Sequence, residues 1–518
     1  MRYEQQVRPC SFVGDVLMIR LLSLLLFLAG SSAGASVPAH EDFALTNVTI
    51  VDVERGETLP QQTILIIDGH ITAVGSNARL RVPRGFRRID GAGRYATPGF
   101  WDMGSEVFNA RNSSWPGAFE LMLANGVVGT RDRGSDGPLA ETAALVRKVE
   151  RGEILAPRLV WSGKTLAVPG VVPVRPNQLP VSNEADARSA VVDLAAAGAN
   201  YVRVTSGFPF EKWGRTVVDA ARRLGMGVSG WIVSGWAEAA LAGMSSIDHL
   251  VDLYRSTSTN RARYLAFSRD PQVRAEIGGD PERAYNFFAT LRSTLDERYY
   301  AETLRTLGRL KTSIATNYSG MIHAQRRFPL RIASRATWAR GGAKTVALPG
   351  PVASAPAQPG VEAALFKNLK DLHDAGVPLM TGSDTGSPGS TFVAPGPSVH
   401  DEMLALVAAG IPVRAALAAA TVNPARYVSH YVPGVEATAA LTAGSPADIV
   451  LLDANPLESI ANVDKIHAVV FAGRWIGPKE RQALLARAAA LANGSPWNVP
   501  ECLVWVESGH SAVSSRAT

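Results

Sequence analysis

The chain has 518 residues, 46% of them hydrophobic and 19% charged, which is the profile of a folded globular protein with one large or two medium domains. Its formal net charge is +6, but the basic residues form no run beyond short pairs such as Arg326-Arg327. This argues against a nucleic-acid partner, whose surface needs cations gathered on one face.

The first expected element is a targeting signal over residues 1–35. From Met18, taken as the true start, the chain reads MIRLLSLLLFLAGSSAGAS. Arg20 supplies a positive start, Leu21 to Ala29 an apolar stretch, and Ala33-Gly34-Ala35 a small-residue cleavage site. The apolar stretch is short for a bilayer span. The reading is export to a bacterial periplasm or beyond, with a mature chain starting near Ser36 and no stable membrane span after cleavage; an uncleaved anchor is the alternative. Of the two cysteines, Cys10 precedes the cleavage site. The mature chain then keeps Cys502 alone, with no internal disulfide and no cysteine-built metal site.

Residues 36–97 read as the first part of a small β domain. TILIIDGHITAVG (Thr63 to Gly75) places two β-rich runs around Asp68-Gly69, a strong hairpin signal. ADIVLLDANP (Ala447 to Pro456) and IHAVVFAGRWI (Ile466 to Ile476) lie in a second all-β part, 436–476. Neither part alone has enough strands to bury a sheet face, so together they are expected to form one composite β-sandwich.

Between them, residues 98–435 alternate. LVWSG (Leu159 to Gly163), YVRVTS (Tyr201 to Ser206), GVSGWI (Gly227 to Ile232), SSIDHL (Ser245 to Leu250), SIATNY (Ser313 to Tyr318) and PLMTGSD (Pro378 to Asp384) are short apolar runs separated by helical stretches. The fold class is therefore α/β, and the rhythm predicts a (β/α)8 TIM-like barrel. A doubly wound sheet is the alternative, but no Gly-rich phosphate turn follows the first strand. Residues 255–300 read as a helical insertion, 340–360 as a flexible loop near the mouth, and 477–518 as a C-terminal helix and tail.

Seven phrases then occur in a fixed order: TPGFWDM (Thr97 to Met103), GVVGTRDRG (Gly126 to Gly134), AGANYVRV (Ala197 to Val204), ALAGMSSIDHL (Ala240 to Leu250), GVPLMTGSDTG (Gly376 to Gly386), HDEMLALVAAGIPVRAALAAATVNPARYV (His400 to Val428) and GSPADIVLLDANPL (Gly444 to Leu457). Together they resemble the amidohydrolase superfamily, in its imidazolonepropionase-like and Xaa-Pro dipeptidase-like branch. The resemblance implies one or two divalent metals held by a His-x-His pair, a carboxylated Lys, two further His and an Asp at strand ends. Such metals lower the pKa of a bound water.

Carried onto this chain, the implied ligand set is largely replaced. The His-x-His positions hold Gly104 and Glu106, the lysine position holds Arg203, and one His position holds Ser229. Arginine cannot form the carbamate and stays charged. His249 and Asp384 remain, and are the candidate catalytic residues. No cofactor is expected; the alternative is one divalent metal such as zinc on Glu106, His249 and Asp384. Arg203 is expected to enter the former metal space, within salt-bridge reach of Glu106 or Asp384. His400 and Glu402 read as residues that orient the helix after the last strand. Trp101, Trp231 and Trp236 read as space-fillers beside the lost ligands.

Two functions follow. One is an exported amidohydrolase cleaving a C–N bond in an amide, cyclic amide or dipeptide, with an altered site. The other is an inactive relative, a pseudoenzyme that binds a small molecule or peptide on the same barrel. A third route, hydrolysis without metal, would use Asp384 or Glu106 with His249. Substrate identity and oligomeric state stay open.

Overall fold

The computed structural model describes residues 42–108, 115–169, 175–233, 235–278, 293–318, 361–386 and 393–494. The targeting segment, both cysteines, the loop 340–360 and the final tail lie outside the described residues, as does part of the 255–300 insertion. No helix among the described residues is long and apolar enough to cross a membrane.

Strands from the two ends of the chain share one sheet. Its N-terminal members are β1 (Phe43–Asp52), β2 (Glu57–Ile67), β3 (His70–Ser76), β4 (Arg87–Asp90) and β5 (Tyr95–Pro98). Asp68 and Gly69 link β2 to β3, both with positive φ (46° and 79°), the conformation that a tight hairpin demands and that Asp and Gly tolerate. Late in the chain, β16 (Ile449–Leu452) pairs antiparallel with β5 from Ile449↔Pro98 to Leu452↔Tyr95, then with β17 (Ile466–Phe471), which pairs with β18 (Arg474–Ile476). β4 and β5 both lie parallel to β1, β4 against Phe43 to Thr46 and β5 against Thr49 and Ile50. One apolar cluster binds the two ends: Phe43, Leu45, Ile64, Ile66 and Ala96 from the first part meet Ile449, Leu451, Ala468 and Val470 from the second. Neither part has that core by itself, which is why these strands pair across some 350 residues of sequence.

The intervening chain builds parallel strands. β6 (Phe100–Ser105), β7 (Val127–Asp132) and β8 (Arg158–Trp161) form one parallel run. The second run comprises β9 (Thr165–Ala167), β10 (Gln178–Pro180), β11 (Val202–Val204), β12 (Val228–Trp231), β13 (Ser246–Asp248), β14 (Ser313–Ala315) and β15 (Leu379–Met380). From β11 to β15 the strands pair in sequence order, all parallel. Helices lie between them, among them 139–150, 184–196, 210–223, 297–310 and 361–374. Local chemistry starts them: Asn183 and Asp296 accept bonds from the backbone N–H of Asp186 and Tyr299. Within 255–300, the described residues include helices 261–269 and 271–278.

Backbone bonds join the two runs at both ends. Met103 N donates to Thr381 O (2.8 Å), Asp384 N to Gly104 O (2.7 Å) and Glu106 N to Thr385 O (2.7 Å), tying β6 to the chain after β15. Asn200 N donates to Trp161 O (2.9 Å), and Trp161 N to the Asn200 side chain (2.7 Å), tying β8 to the entry of β11.

Candidate functional site

The residues singled out from the sequence sit at the C-terminal ends of these strands. Gly104 lies in β6 and Glu106 just past it, Arg203 in β11, Ser229 in β12, His249 directly after β13 and Asp384 shortly after β15. What joins them is a set of residues that pattern reading passed over, above all Arg131 and Arg133.

Side chains alternate along a strand, so Arg131 at the end of β7 and Arg133 two residues on project the same way. Both are fully buried. Arg131 runs between the tyrosine rings of Tyr201 and Tyr427, its guanidinium carbon 5.5 and 5.4 Å from their centroids. It donates from Nε to Met103 O (2.8 Å), from Nη1 to Ser229 Oγ (3.0 Å) and Ser246 Oγ (2.6 Å), and from Nη2 to Asp248 Oδ1 (2.8 Å). One side chain from β7 thereby reaches β6, β12 and β13.

Arg133 occupies the space above β6. Its Nη1 donates to Asp384 Oδ1 (2.6 Å), its Nη2 donates to the Asn317 side-chain oxygen, and its Nε stands 3.6 Å from Asp248 Oδ2. A Cβ added at Gly104 would fall 2.2 Å from Arg133 Nη2 and 2.9 Å from Asn317 Nδ2. No side chain fits at Gly104 while Arg133 stays where it is.

Arg203 corrects the expectation set by the sequence. It makes no ion pair with Glu106 or Asp384. Its Nε faces Asp248 Oδ2 (3.4 Å), and its Nη1 donates to Arg133 O and Thr165 Oγ1 (both 3.3 Å). Three guanidiniums therefore share the Asp248 carboxylate, and Arg133, not Arg203, pairs with Asp384. The reason is reach: Arg203 is an immediate neighbour of β12 and its side chain turns along the strand layer toward β13, whereas Arg133 comes from the β6 side.

Burial opposes ionisation of Asp248, but the guanidiniums of Arg133, Arg131 and Arg203 outweigh it and hold this carboxyl well below the usual range. Asp132, which lacks such a partner, behaves oppositely: burial pushes it up to about 8 despite backbone N–H bonds from Gly134 and Phe108, and the Glu106 carboxylate adds to the rise. Asp102 is also raised by burial, against bonds from the Ser383 hydroxyl (2.5 Å) and backbone (2.9 Å). Burial, with the Arg133 charge, lowers His249 to about 4, so its imidazole is neutral at neutral pH. Its ring lies 4.8 Å from that of Trp231, whose indole N–H donates to Asp252.

His249, Asn317 and Asp384 share a backbone feature. All have positive φ (69°, 49° and 63°) and follow three consecutive strands. Non-glycine residues enter this region only when the surroundings hold them there. The other sequence candidates are structural: His400 bridges Asp464 (2.6 Å) and Asn125 O (2.9 Å), Glu402 accepts from the Thr316 hydroxyl and Tyr318 N, Trp101 packs over Gly129, and Trp236 donates to Ile232 O (2.7 Å).

Guanidiniums cannot ligate a metal, and their charge repels one. With Arg133 beside Gly104, Arg131 on Ser229 and Arg203 on β11, the donors here do not suit a divalent cation. Among the described residues, no group of three or more His, Cys, Asp or Glu is arranged to hold one.

Residues 352–476 match the model of the amidohydrolase family. The fold is shared with solved structures. A putative prolidase from Bifidobacterium longum is 22% identical, with a TM-score of 0.59 over 87% of this chain and 100% of that one. Bottromycin amidohydrolase is 21% identical, with a TM-score of 0.63 over 87% and 90%. A Xaa-Pro dipeptidase with methionine bound in its active site is 15% identical, with a TM-score of 0.56 over 84% and 100%. No curated protein matches the chain.

Proposed function

We infer that this amidohydrolase-family chain is a binding protein on a hydrolase scaffold: it takes a small molecule or peptide at the strand ends and has given up metal-dependent C–N hydrolysis. The observation that carries this is the position of Arg133, whose guanidinium fills the space over Gly104 and pairs with Asp384. The reading treats the two parallel runs as one closed (β/α)8 barrel, supported by the bonds from β6 to residues 381–385 and by Arg131 reaching from β7 to β13. The pairing of β11 to β15 in sequence order also disfavours a doubly wound sheet, whose order reverses. In this barrel the small β-sheet made by the chain ends is a separate composite unit. Export rests on the charged, apolar and small-residue pattern from Met18 to Ala35.

A second reading keeps hydrolysis without metal. It is favoured by His249, which is neutral at neutral pH and near the Asp384 charge, so that it has a free lone pair for general-base work.

The test is to incubate the purified protein with Xaa-Pro dipeptides, N-acyl amino acids and cyclic amides, with and without added zinc, following both product and melting temperature. The expected result is a rise in melting temperature with at least one compound class and no product. Turnover above about 1 s⁻¹ that needs zinc would overturn the proposal, since that lies in the ordinary enzymatic range. Zinc-independent turnover lost in His249→Asn would favour the second reading.

A further inference from the structure

Two cations meet at the rim of the strand ends, over β9 and β11. One is Arg175, exposed in the turn that leads into β10. Asn177 O in that turn accepts from Thr165 N (2.9 Å), and Thr165 Oγ1 accepts from Arg203 Nη1 (3.3 Å), so the turn lies beside the buried guanidiniums already described. Lys164 fastens it: its Nζ donates to Pro176 O (2.6 Å), Ser135 O (2.7 Å) and Gly137 O (2.6 Å), which uses all three of its protons.

The other is Arg274, half-buried in helix 271–278 of the insertion. The insertion reaches this rim through Arg269, whose Nη1 and Nη2 grip the Glu211 carboxylate (2.6 and 2.8 Å) and whose Nη2 also donates to Phe208 O (2.9 Å). Phe208 lies in the loop after β11, and Thr205 N at the start of that loop donates to Leu166 O of β9 (3.0 Å). Five residues beyond Arg269, Arg274 lays its guanidinium over the Phe267 ring (5.2 Å). Separate loops thus bring the two arginines to one place. Burial, and after it the Arg175 charge, hold Arg274 below the usual arginine pKa.

Among the described residues neither arginine makes an ion pair, and the side chain of Arg274 has one long hydrogen bond, from Nη2 to Ser268 O (3.5 Å). Its Nε is buried with no partner among them. Asp270, one helical turn before Arg274, caps the helix instead, accepting from Gln272 N (2.8 Å) and Val273 N (3.4 Å). Glu276, two residues after Arg274, projects from another side of the helix. Like charges gathered from two loops, the nearest carboxylate engaged elsewhere and a buried N–H left unpaired together mark a place for an anion.

We propose that Arg175 and Arg274 form an anion-binding rim, which takes a carboxylate or phosphate group of the ligand that enters at the strand ends. Each guanidinium offers paired N–H donors to the oxygens of that group. The link to a ligand rests on the binding reading above, while the anion subsite can be probed alone.

The experiment measures, by calorimetry and melting temperature, the binding of inorganic phosphate and of succinate to the full protein at an ionic strength held constant with sodium chloride. Comparison is with Arg175→Gln and Arg274→Gln. We expect saturable binding of at least one of the two anions, weakened on the order of ten-fold in each variant. Without anion, Arg175→Gln should melt no lower than the wild type, because the change removes only repulsion. The anion that binds more tightly names the group, phosphoryl or carboxylate. Arg175 is exposed, so its variant keeps the test open should Arg274→Gln misfold. No saturable binding of either anion, or binding unchanged in Arg175→Gln, would overturn the proposal. The two readings fail separately. Zinc-dependent turnover in the compound screen would overturn the binding reading and leave a phosphate or succinate site to stand, whereas a compound from that screen held equally well by Arg175→Gln and Arg274→Gln would overturn this proposal and leave the binding reading intact.

Discussion

Replacing Arg133 with Met removes an ion-pair partner of Asp384 and one of three cations on Asp248, leaving buried carboxylate charge under-compensated. This should cost about 3–5 kcal/mol in chemical unfolding. Arg203→Met should cost less, about 2 kcal/mol, because Asp248 keeps Arg131 and Arg133. Gly104→Ala should cost about 1–3 kcal/mol through overpacking against Arg133, and less in an Arg133→Met background. Equal costs for Arg133→Met and Arg203→Met would refute the assignment of Arg133 as the replacement cation. His249 supplies a pH test. Its folded pKa lies below its unfolded value, so between about 6.5 and 4 the unfolded chain takes up a proton that the folded chain refuses. The protein should lose stability as pH falls through that window, by at most about 3 kcal/mol from this residue. The Asn variant, which tolerates the same left-handed backbone, should lose less; an identical pH dependence would contradict the buried neutral imidazole. Gly104, Glu106, Arg203, Ser229, His249 and Asp384 were legible in the sequence as residues at or near strand ends, because the apolar runs before them mark the strands. The side chains that join them were legible only in part. Arg131 and Arg133 stand two apart before Gly134, the spacing that puts both on one side of a strand, but nothing local indicates that Arg133, and not Arg203, reaches Gly104 and Asp384.

At the scale of elements, β16 is the bridge of the terminal sheet, paired with β5 on one side and β17 on the other. Leu451 in it is fully enclosed among Leu45, Ile66 and Ala96 of the N-terminal part. Leu451→Ala should therefore cost about 2–5 kcal/mol and lower the melting temperature. A cost below about 1 kcal/mol would mean the two parts are not held by a common core. The hairpin at Asp68-Gly69 and the strands β11 to β15 could be read directly, because turn residues and apolar runs mark them. β9 and β10 could not: three residues each, TLA and QLP, carry no period to recognise. β7 lies within GVVGTRDRG, yet its polar ending TRD hides a strand whose last residues turn inward to a charged network and not to an apolar core.

Across the whole molecule, residues 352–476 match the amidohydrolase family model and the fold is shared with a solved putative prolidase, while the strand ends hold Arg131, Arg133 and Arg203 around Asp248 and Asp384. Charge is the common thread. A formal +6 looks unremarkable when counted over the chain, and it does not report the three buried guanidiniums around Asp248, because these depend on which residues the fold brings together.

The central claim is that guanidiniums have taken the place of the metal. Elemental analysis of the protein purified without chelator, then incubated with a two-fold excess of zinc and passed through gel filtration, tests it most directly. The account predicts far less than one zinc per chain and no change in melting temperature. One zinc retained per chain, with a higher melting temperature that Asp384→Asn abolishes, would contradict it.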